Sequence, residues 1–209
     1  AYESRKQTPS FASSFAWFQR WPEWSGENFS GKRLLVYSEQ GLGDMLQFSR
    51  YLPQVKSRGG SVYLSVKKPL LPLLKALPSV DLVVEHAEEP LSALSFDLVV
   101  PIMTLPFIFG TTLRTIPAGI PYLQAPVSYK KKWQALLPRK EKKLRVGLVW
   151  AGNPEHTEGL IRTAGLEAFA PLAACKHVEW VSLQKGEAAQ EATNSPFPIL
   201  DWTDQIHDF

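Results

Sequence analysis

Three short segments hold residues whose types and spacing could do chemistry. The first is Glu39-Gln40-Gly41-Leu42-Gly43-Asp44. Glycines at 41 and 43 allow a backbone to approach a ligand closely. Asp44 reads two ways. As a helix N-cap its carboxylate accepts a backbone hydrogen bond. As a general base it takes a proton from an acceptor hydroxyl, although a helix N-terminus stabilises negative charge and so weakens a carboxylate base. The second segment is Trp150-Ala151-Gly152-Asn153-Pro154, followed by His156 and Arg162. An arginine beside the free N–H groups of a following helix makes a phosphate pocket; the plainer account is a surface arginine and a loop histidine. The third is Gln184-Lys185-Gly186, which reads either as a nucleotide contact or as a turn with a solvated lysine.

What gives these segments weight is the elements that must position them. Buried-strand runs at Lys32–Ser38, Ser61–Val66, Asp81–Glu85 and Phe96–Pro101 alternate with apolar-periodic helices over Asp44–Lys56 and Pro69–Leu77. That alternation implies a parallel sheet covered by helices. After prolines at 117, 121 and 126 it restarts. Strands are expected at Leu144–Trp150, Val178–Leu183 and Ile199–Asp201, with helices at Leu166–Ala174 and Glu187–Ala192. Each chemical segment therefore follows a strand, at the carboxyl end where open α/β sheets bind ligands. The stretch beginning RLLVYSEQG at Arg33 is echoed by RVGLVWAGN at Arg145, so the chain reads as two consecutive Rossmann-like blocks. Upstream, Phe11, Phe15 and Phe18 share one helical face, and Pro22 ends that helix.

Composition bounds the rest. The 209 residues are 44% hydrophobic and 21% charged, enough apolar content to bury a core rather than remain disordered. The net charge of +3 names no partner. Tyr129–Arg145 holds eight Lys or Arg against one Glu, net +7, and leaves −4 elsewhere. This is expected to be a basic linker with a short helix around Trp133, or an anion-attracting rim. A lone Cys175 forms no intrachain disulfide. His86, His156, His177 and His207 lack metal-ligand spacing, so no metal is expected. Glu85, His86, Glu88 and Glu89 read as a solvated loop. A dinucleotide fingerprint would place glycine at 46, where Leu46 stands, and an acid after the second strand, where Lys67 and Lys68 stand. A nicotinamide-linked oxidoreductase is therefore disfavoured. No nucleic-acid recognition motif accompanies the basic run. No apolar stretch reaches the roughly 18 residues of a spanning helix.

Glu39 to Pro53 (EQGLGDMLQFSRYLP), Thr115 to Leu123 (TIPAGIPYL), Arg145 to His156 (RVGLVWAGNPEH) and Val181 to Gly186 (VSLQKG), preceded by Gly31-Lys32, form an ordered set. From residue 17 to 209 the set resembles the glycosyltransferase-like domain found downstream of tetratricopeptide repeats in many bacterial proteins. That family is similar to heptosyltransferases and to O-linked N-acetylglucosamine transferases. The resemblance implies a GT-B architecture, two Rossmann-like domains facing across a cleft. It implies an N-terminal helical and aromatic segment over 1–30, an acceptor-side domain over 31–127, and a linker with an incomplete donor-side domain over 128–209. It places Asp44 as the base, with Gln40, Gly41 and Gly43 in the acceptor-side loop. Gly152, Asn153, His156, Arg162, Gln184 and Lys185 would bind the donor. The implied partners are a nucleotide-sugar and a glycan, lipid or protein acceptor, in the cytoplasm and without a cofactor.

The chain departs from the family at two places. Family members read His-x-Asn-Asp-x-x-Arg-Ser where this chain has His156-Thr157-Glu158-Gly159-Leu160-Ile161-Arg162-Thr163. The family's Asp-Thr-x-x-x-His-x-x-Gly donor motif is absent before Phe209. The chain, which lacks a starting Met, thus reads as an excised piece without transfer activity of its own. Its second block is expected to expose Val146, Leu148, Val178 and Val181 or to cover them by self-association. A noncatalytic binding or scaffold module is the alternative function.

Overall fold

The computed structural model describes residues 2–137, 143–154 and 161–206. They divide into two compact units, one reaching to Lys130 and the other starting at Lys131.

The first unit is built on four parallel strands: β1 (Arg33–Tyr37), β2 (Ser61–Val66), β3 (Leu82–Glu85) and β4 (Leu98–Pro101), in the order β3-β2-β1-β4. Val36 pairs with Leu64 on one side and Val100 on the other. Both central strands are buried on both faces, which is why they read as continuous apolar runs instead of alternating ones. The order fixes where the helices go. A right-handed crossover puts the β1–β2 and β2–β3 connections on one face and the returning β3–β4 connection on the other.

On the first face lie α2 (Leu42–Phe48), a 3₁₀ turn at Ser49–Tyr51, α3 (Leu52–Lys56) and α4 (Leu71–Leu74). The helix expected over Asp44–Lys56 thus starts two residues earlier and tightens in the middle. Met45, Leu52, Val55, Leu70 and Leu74 from these helices pack on Leu34, Val36, Leu64 and Val100. On the opposite face α5 (Glu88–Ser92) contributes Leu91, and the remaining cover comes from the N-terminal aromatics.

Those aromatics do not form a single helix. A 3₁₀ turn at Tyr2–Gln7 precedes α1 (Pro9–Ser14), which is capped by Thr8 Oγ1 accepting from the Phe11 N–H at 3.3 Å; α1 ends at Phe15, and a second 3₁₀ turn spans Ala16–Arg20. Phe15 and Phe18 still face one way because both rest on Tyr37, with Phe18 stacked on it at 3.9 Å between centroids. Trp24, 1% exposed, extends the sheet: its N–H donates to the Val99 carbonyl at 2.8 Å, and Glu23 forms a parallel bridge with Val99. The aromatic segment is therefore part of the first unit's core. Past β4, α6 (Leu105–Ile108) follows a 3₁₀ turn at Ile102–Thr104.

The basic stretch forms α7 (Val127–Leu136) around Trp133. The second unit then holds three parallel strands, β5 (Leu144–Leu148), β6 (Val178–Ser182) and β7 (Ile199–Asp201), in that order. The segments expected as helices at 166–174 and 187–192 are 3₁₀ turns, Leu166–Ala174 and Glu187–Asn194. Pro171 lies within the first and removes a backbone donor. Leu148, Trp150, Leu166, Trp180 and Phe197 make the core, with Trp180 edge-on to Phe197. The exposure expected in this block is corrected here. Leu148 is 8% and Val181 4% exposed, and Val146 and Val178 pack partly against the core. Among the described residues of this block, the large apolar side chains that stay exposed are Leu144, Val149, Ile161 and Leu183.

Candidate functional site

In the first unit the β1–α2 loop carries the acceptor-side residues. The N-cap of α2 is Gly41, and Asp44 sits three residues later, so the aspartate is not itself the cap. Its Oδ2 reaches back and accepts the Gly41 N–H at 2.9 Å. This is the carboxylate half of a capping box, which satisfies one of the helix's otherwise unpaired donors. Gly41 has its own reason: a Cβ there would stand 3.0 Å from that oxygen. Asp44 is half-buried, whereas Gln40, Gly41 and Gly43 are exposed, so the loop is open to a ligand. Gln47 and Phe48, one turn on and on the same helix face as Asp44, line a groove of about 400 Å³ with Tyr51, Leu113 and Ile116.

Sequence reasoning included Glu39 in this segment but gave no role to it, although it is the buried carboxylate at this strand end. Glu39 is 1% exposed in its side chain and joins β1 to the start of the turn after β4, where Oε1 accepts the Met103 N–H at 2.9 Å. Arg5 pairs with it through two bonds of 2.8 Å. Arg5 was invisible beforehand, because a contact 34 residues long leaves no local spacing signal. His86 was likewise read as part of a solvated loop, and the structure corrects that. Its ring packs near Phe18, and Nδ1 lies 2.9 Å from the buried Ser65 hydroxyl. Burial, then the neighbouring Lys67 charge, pushes its pKa below the usual imidazole value. Glu85 closes β3, while Glu88 and Glu89 open α5.

In the second unit Gln184, 4% exposed, organises the loop after β5. Its Oε1 accepts the N–H groups of Trp150 and Ala151, each at 2.9 Å. Its Nε2 donates to the Ala151 and Lys185 carbonyls at 3.2 and 2.8 Å. All four hydrogen-bonding positions of the carboxamide therefore meet backbone. Lys185 is exposed and donates to the Ile206 carbonyl at 2.9 Å. The Gly152 N–H donates to Thr163 Oγ1 at 3.2 Å. Asn153 and Arg162 are exposed on this loop, and the chain returns to β5 where the Ala164 N–H donates to the Trp150 carbonyl at 2.9 Å. His156 lies outside the described residues.

The helix N-terminus expected beside Arg162 differs from a free anion site. It is a 3₁₀ turn entered through Gly165 at φ +73°, and its leading Leu166 N–H donates to Glu191 Oε2 at 2.7 Å. Glutamate already fills the position a phosphate oxygen would take. A second cavity, about 250 Å³, lies beside Trp133, Val181, Leu183 and Trp202. At its wall Ser182 Oγ and Trp202 Nε1 are buried without a hydrogen-bond partner. Among the described residues no cluster of His, Cys, Asp or Glu could hold a metal ion, and no helix is long and apolar enough to cross a membrane.

No family model matches this chain. Protein FlbA of Caulobacter vibrioides is 27% identical over 213 residues, which is 91% of this chain and 34% of that protein. The chain thus spans about a third of the length of the curated relative it matches. Two solved structures share the fold. The family 9 glycosyl transferase from Veillonella parvula superposes with a TM-score of 0.56 at 12% identity, covering 83% of this chain and 70% of that one. The ADP-heptose LPS heptosyltransferase II of E. coli gives 0.52 at 13% identity, covering 83% and 73%.

Proposed function

We propose that this chain is a glycosyltransferase region that moves a sugar from a nucleotide-sugar donor to a hydroxyl acceptor. One observation carries the reading: in a fold shared with a family 9 glycosyl transferase, the half-buried carboxylate of Asp44 lies in the first turn of α2, the helix whose Gln47 and Phe48 line an open groove. The acceptor belongs to the first unit and the donor to the second. Asp44 takes the proton as the acceptor oxygen bonds to the anomeric carbon. The bond from that carbon to the donor phosphate oxygen breaks, and a nucleoside diphosphate leaves. Arg162 and Lys185 supply positive charge where the diphosphate develops its own, an electrostatic term that is preorganised rather than induced. Gly152 and Asn153 line the donor, and His156 is assigned to it from its place in the sequence. Gln184 acts by holding the Trp150–Ala151 backbone in place. The acceptor-side loop Gln40–Gly43 admits the hydroxyl. In this reading the chain is the domain that follows tetratricopeptide repeats in cytoplasmic bacterial proteins.

A second reading, a noncatalytic binding module, is favoured by a specific observation: Asp44, Gln184 and the Leu166 N–H are all engaged by the fold itself. Calorimetric titration of the full-length protein with UDP, ADP and GDP, followed by hydrolysis of the matching nucleotide-sugars, separates the two. Saturable diphosphate binding with donor turnover supports transfer. Binding without turnover supports the module, and no binding removes the donor assignment altogether.

A further inference from the structure

We propose that the carboxyl edge of the first sheet is a guanidinium-receiving site centred on Glu39, filled in this structure by the chain's own Arg5 and available to an arginine-bearing acceptor when residues 2–7 leave it. Arg5 meets Glu39 fork to fork, Nε to Oε2 and Nη2 to Oε1, both at 2.8 Å. Nη2 also donates to Thr104 Oγ1 at 3.0 Å, and the Met103 N–H holds Oε1 from the other side at 2.9 Å. The receptor is thus assembled from the ends of β1 and β4, where ligands approach an open parallel sheet. Two parallel bonds to one carboxylate fit a planar guanidinium and not an ammonium.

The occupant and the receptor differ in how firmly they are held. Tyr2–Gln7 is a six-residue 3₁₀ turn in which no residue is buried. Besides Arg5 it is held by polar contacts: Gln40 Nε2 donates to the Tyr2 hydroxyl at 2.6 Å, that hydroxyl lies 3.9 Å from Met103 Sδ, the Thr104 hydroxyl donates to Glu3 Oε2 at 3.2 Å, and Lys6 pairs with Glu3 and Glu23. Such segments open locally at small free-energy cost. Glu39 stays behind, because it follows β1 by two residues and its Oε1 is held by the Met103 N–H. Without Arg5 the carboxylate loses both charge-assisted bonds, and an incoming guanidinium restores them. Glu39 stands five residues before Asp44 on the same loop, which puts the bound group on the acceptor side. Only the word acceptor rests on the glycosyltransferase reading; the binding does not.

The test titrates end-capped Gly-Arg-Ser-Gly peptide, and its citrulline counterpart, into the wild-type chain, Arg5→Ala, Glu39→Gln and Thr104→Val. The arginine peptide is expected to bind wild type weakly and to speed amide exchange across Tyr2–Gln7. Binding to Arg5→Ala is expected to be at least tenfold tighter, and to vanish in Glu39→Gln or with citrulline. Thr104→Val keeps the carboxylate and is expected to weaken binding severalfold in the Arg5→Ala background, which covers the case of a misfolded Glu39→Gln. Unchanged protection of Tyr2–Gln7 at saturating peptide, or equal affinity for wild type and Glu39→Gln, overturns the site. Peptide binding without sugar transfer leaves the site standing and counts against transfer; transfer without peptide binding does the reverse.

Discussion

Asp44 closes the capping box of α2 with its carboxylate and, in the proposed transfer, also takes a proton with it; an amide separates the two. Asparagine retains an oxygen that can accept the Gly41 N–H bond but cannot take a proton. In the transfer reading Asp44→Asn in the full-length protein therefore lowers turnover by roughly 10²-fold or more, while the melting temperature and diphosphate affinity stay near wild type. A full rate with a lowered melting temperature would assign the residue to the fold alone. Arg162 is tested by affinity: Arg162→Ala is expected to weaken nucleoside-diphosphate binding by about 1.5–3 kcal/mol, the range for a hydrogen bond to a charged group, and unchanged calorimetry removes it from the donor side. His86 gives a pH signature. Its folded pKa is depressed by burial and then by Lys67, so near neutrality the unfolded chain binds more protons than the folded one. The stability this contributes is complete above the unfolded value of about 6.5 and is lost as pH falls through the folded value. His86→Gln can keep a bond to Ser65 and is expected to flatten the fall in urea midpoint between pH 7 and 5. An identical slope in both proteins would show that other groups set it.

At the level of elements, the strands were legible because each is a short apolar run ended by a polar or glycine turn, and in β1, β2 and β4 burial on both faces makes that run continuous. β2 runs from Ser61 to Val66 and β7 from Ile199 to Asp201, as the residues alone indicate. The N-terminal helix was misread for a physical reason. Phe11, Phe15 and Phe18 have helical spacing, but what aligns them is docking on Tyr37, and that tolerates the break at Phe15. Among the site residues, spacing could find the loop containing Gly41 and Asp44. It could not find that Gln184 braces the loop 33 residues before it, or that Arg5 seeks Glu39, because long-range partners carry no local period. Trp24 tests how far this segment belongs to the core. It is 1% exposed, bonds to Val99 and lies edge-on to Phe29. Trp24→Ala is expected to cost about 3–5 kcal/mol, the range for deleting a buried aromatic, and to lower protection across β1 and β4. Loss confined to residues before Phe29 would make the segment an appendage.

The two units differ in what holds them. The first sheet has four strands with packed residues on both faces, and Leu34, Leu35, Val36 and Leu64 are fully buried. The second has three strands with a single cluster, and among its described residues none reaches zero exposure except Ser182, a polar one. β5 pairs only with β6, so the outer backbone groups of its edge have no ladder partner among the described residues, and Leu144 and Val149 beside it are 67% and 59% exposed. Unpaired edges open first and invite further pairing. Arg145 works against that opening by clamping Glu179 at 2.7 Å and the Leu137 carbonyl at 2.8 Å, which ties β5 to β6 and to the end of α7. Native-state hydrogen exchange is therefore expected to show greater protection at Leu34–Val36 and Val62–Leu64 than at Val146–Leu148. Arg145→Ala is expected to speed exchange in β5 and β6 while leaving β1 and β2 unchanged. Because β5 is an edge strand, its exchange is also expected to slow as protein concentration rises, the mark of edge-to-edge association. Equal protection in both sheets, or a response of β1 to the Arg145 substitution, would mean that the two units unfold as one cooperative body rather than two.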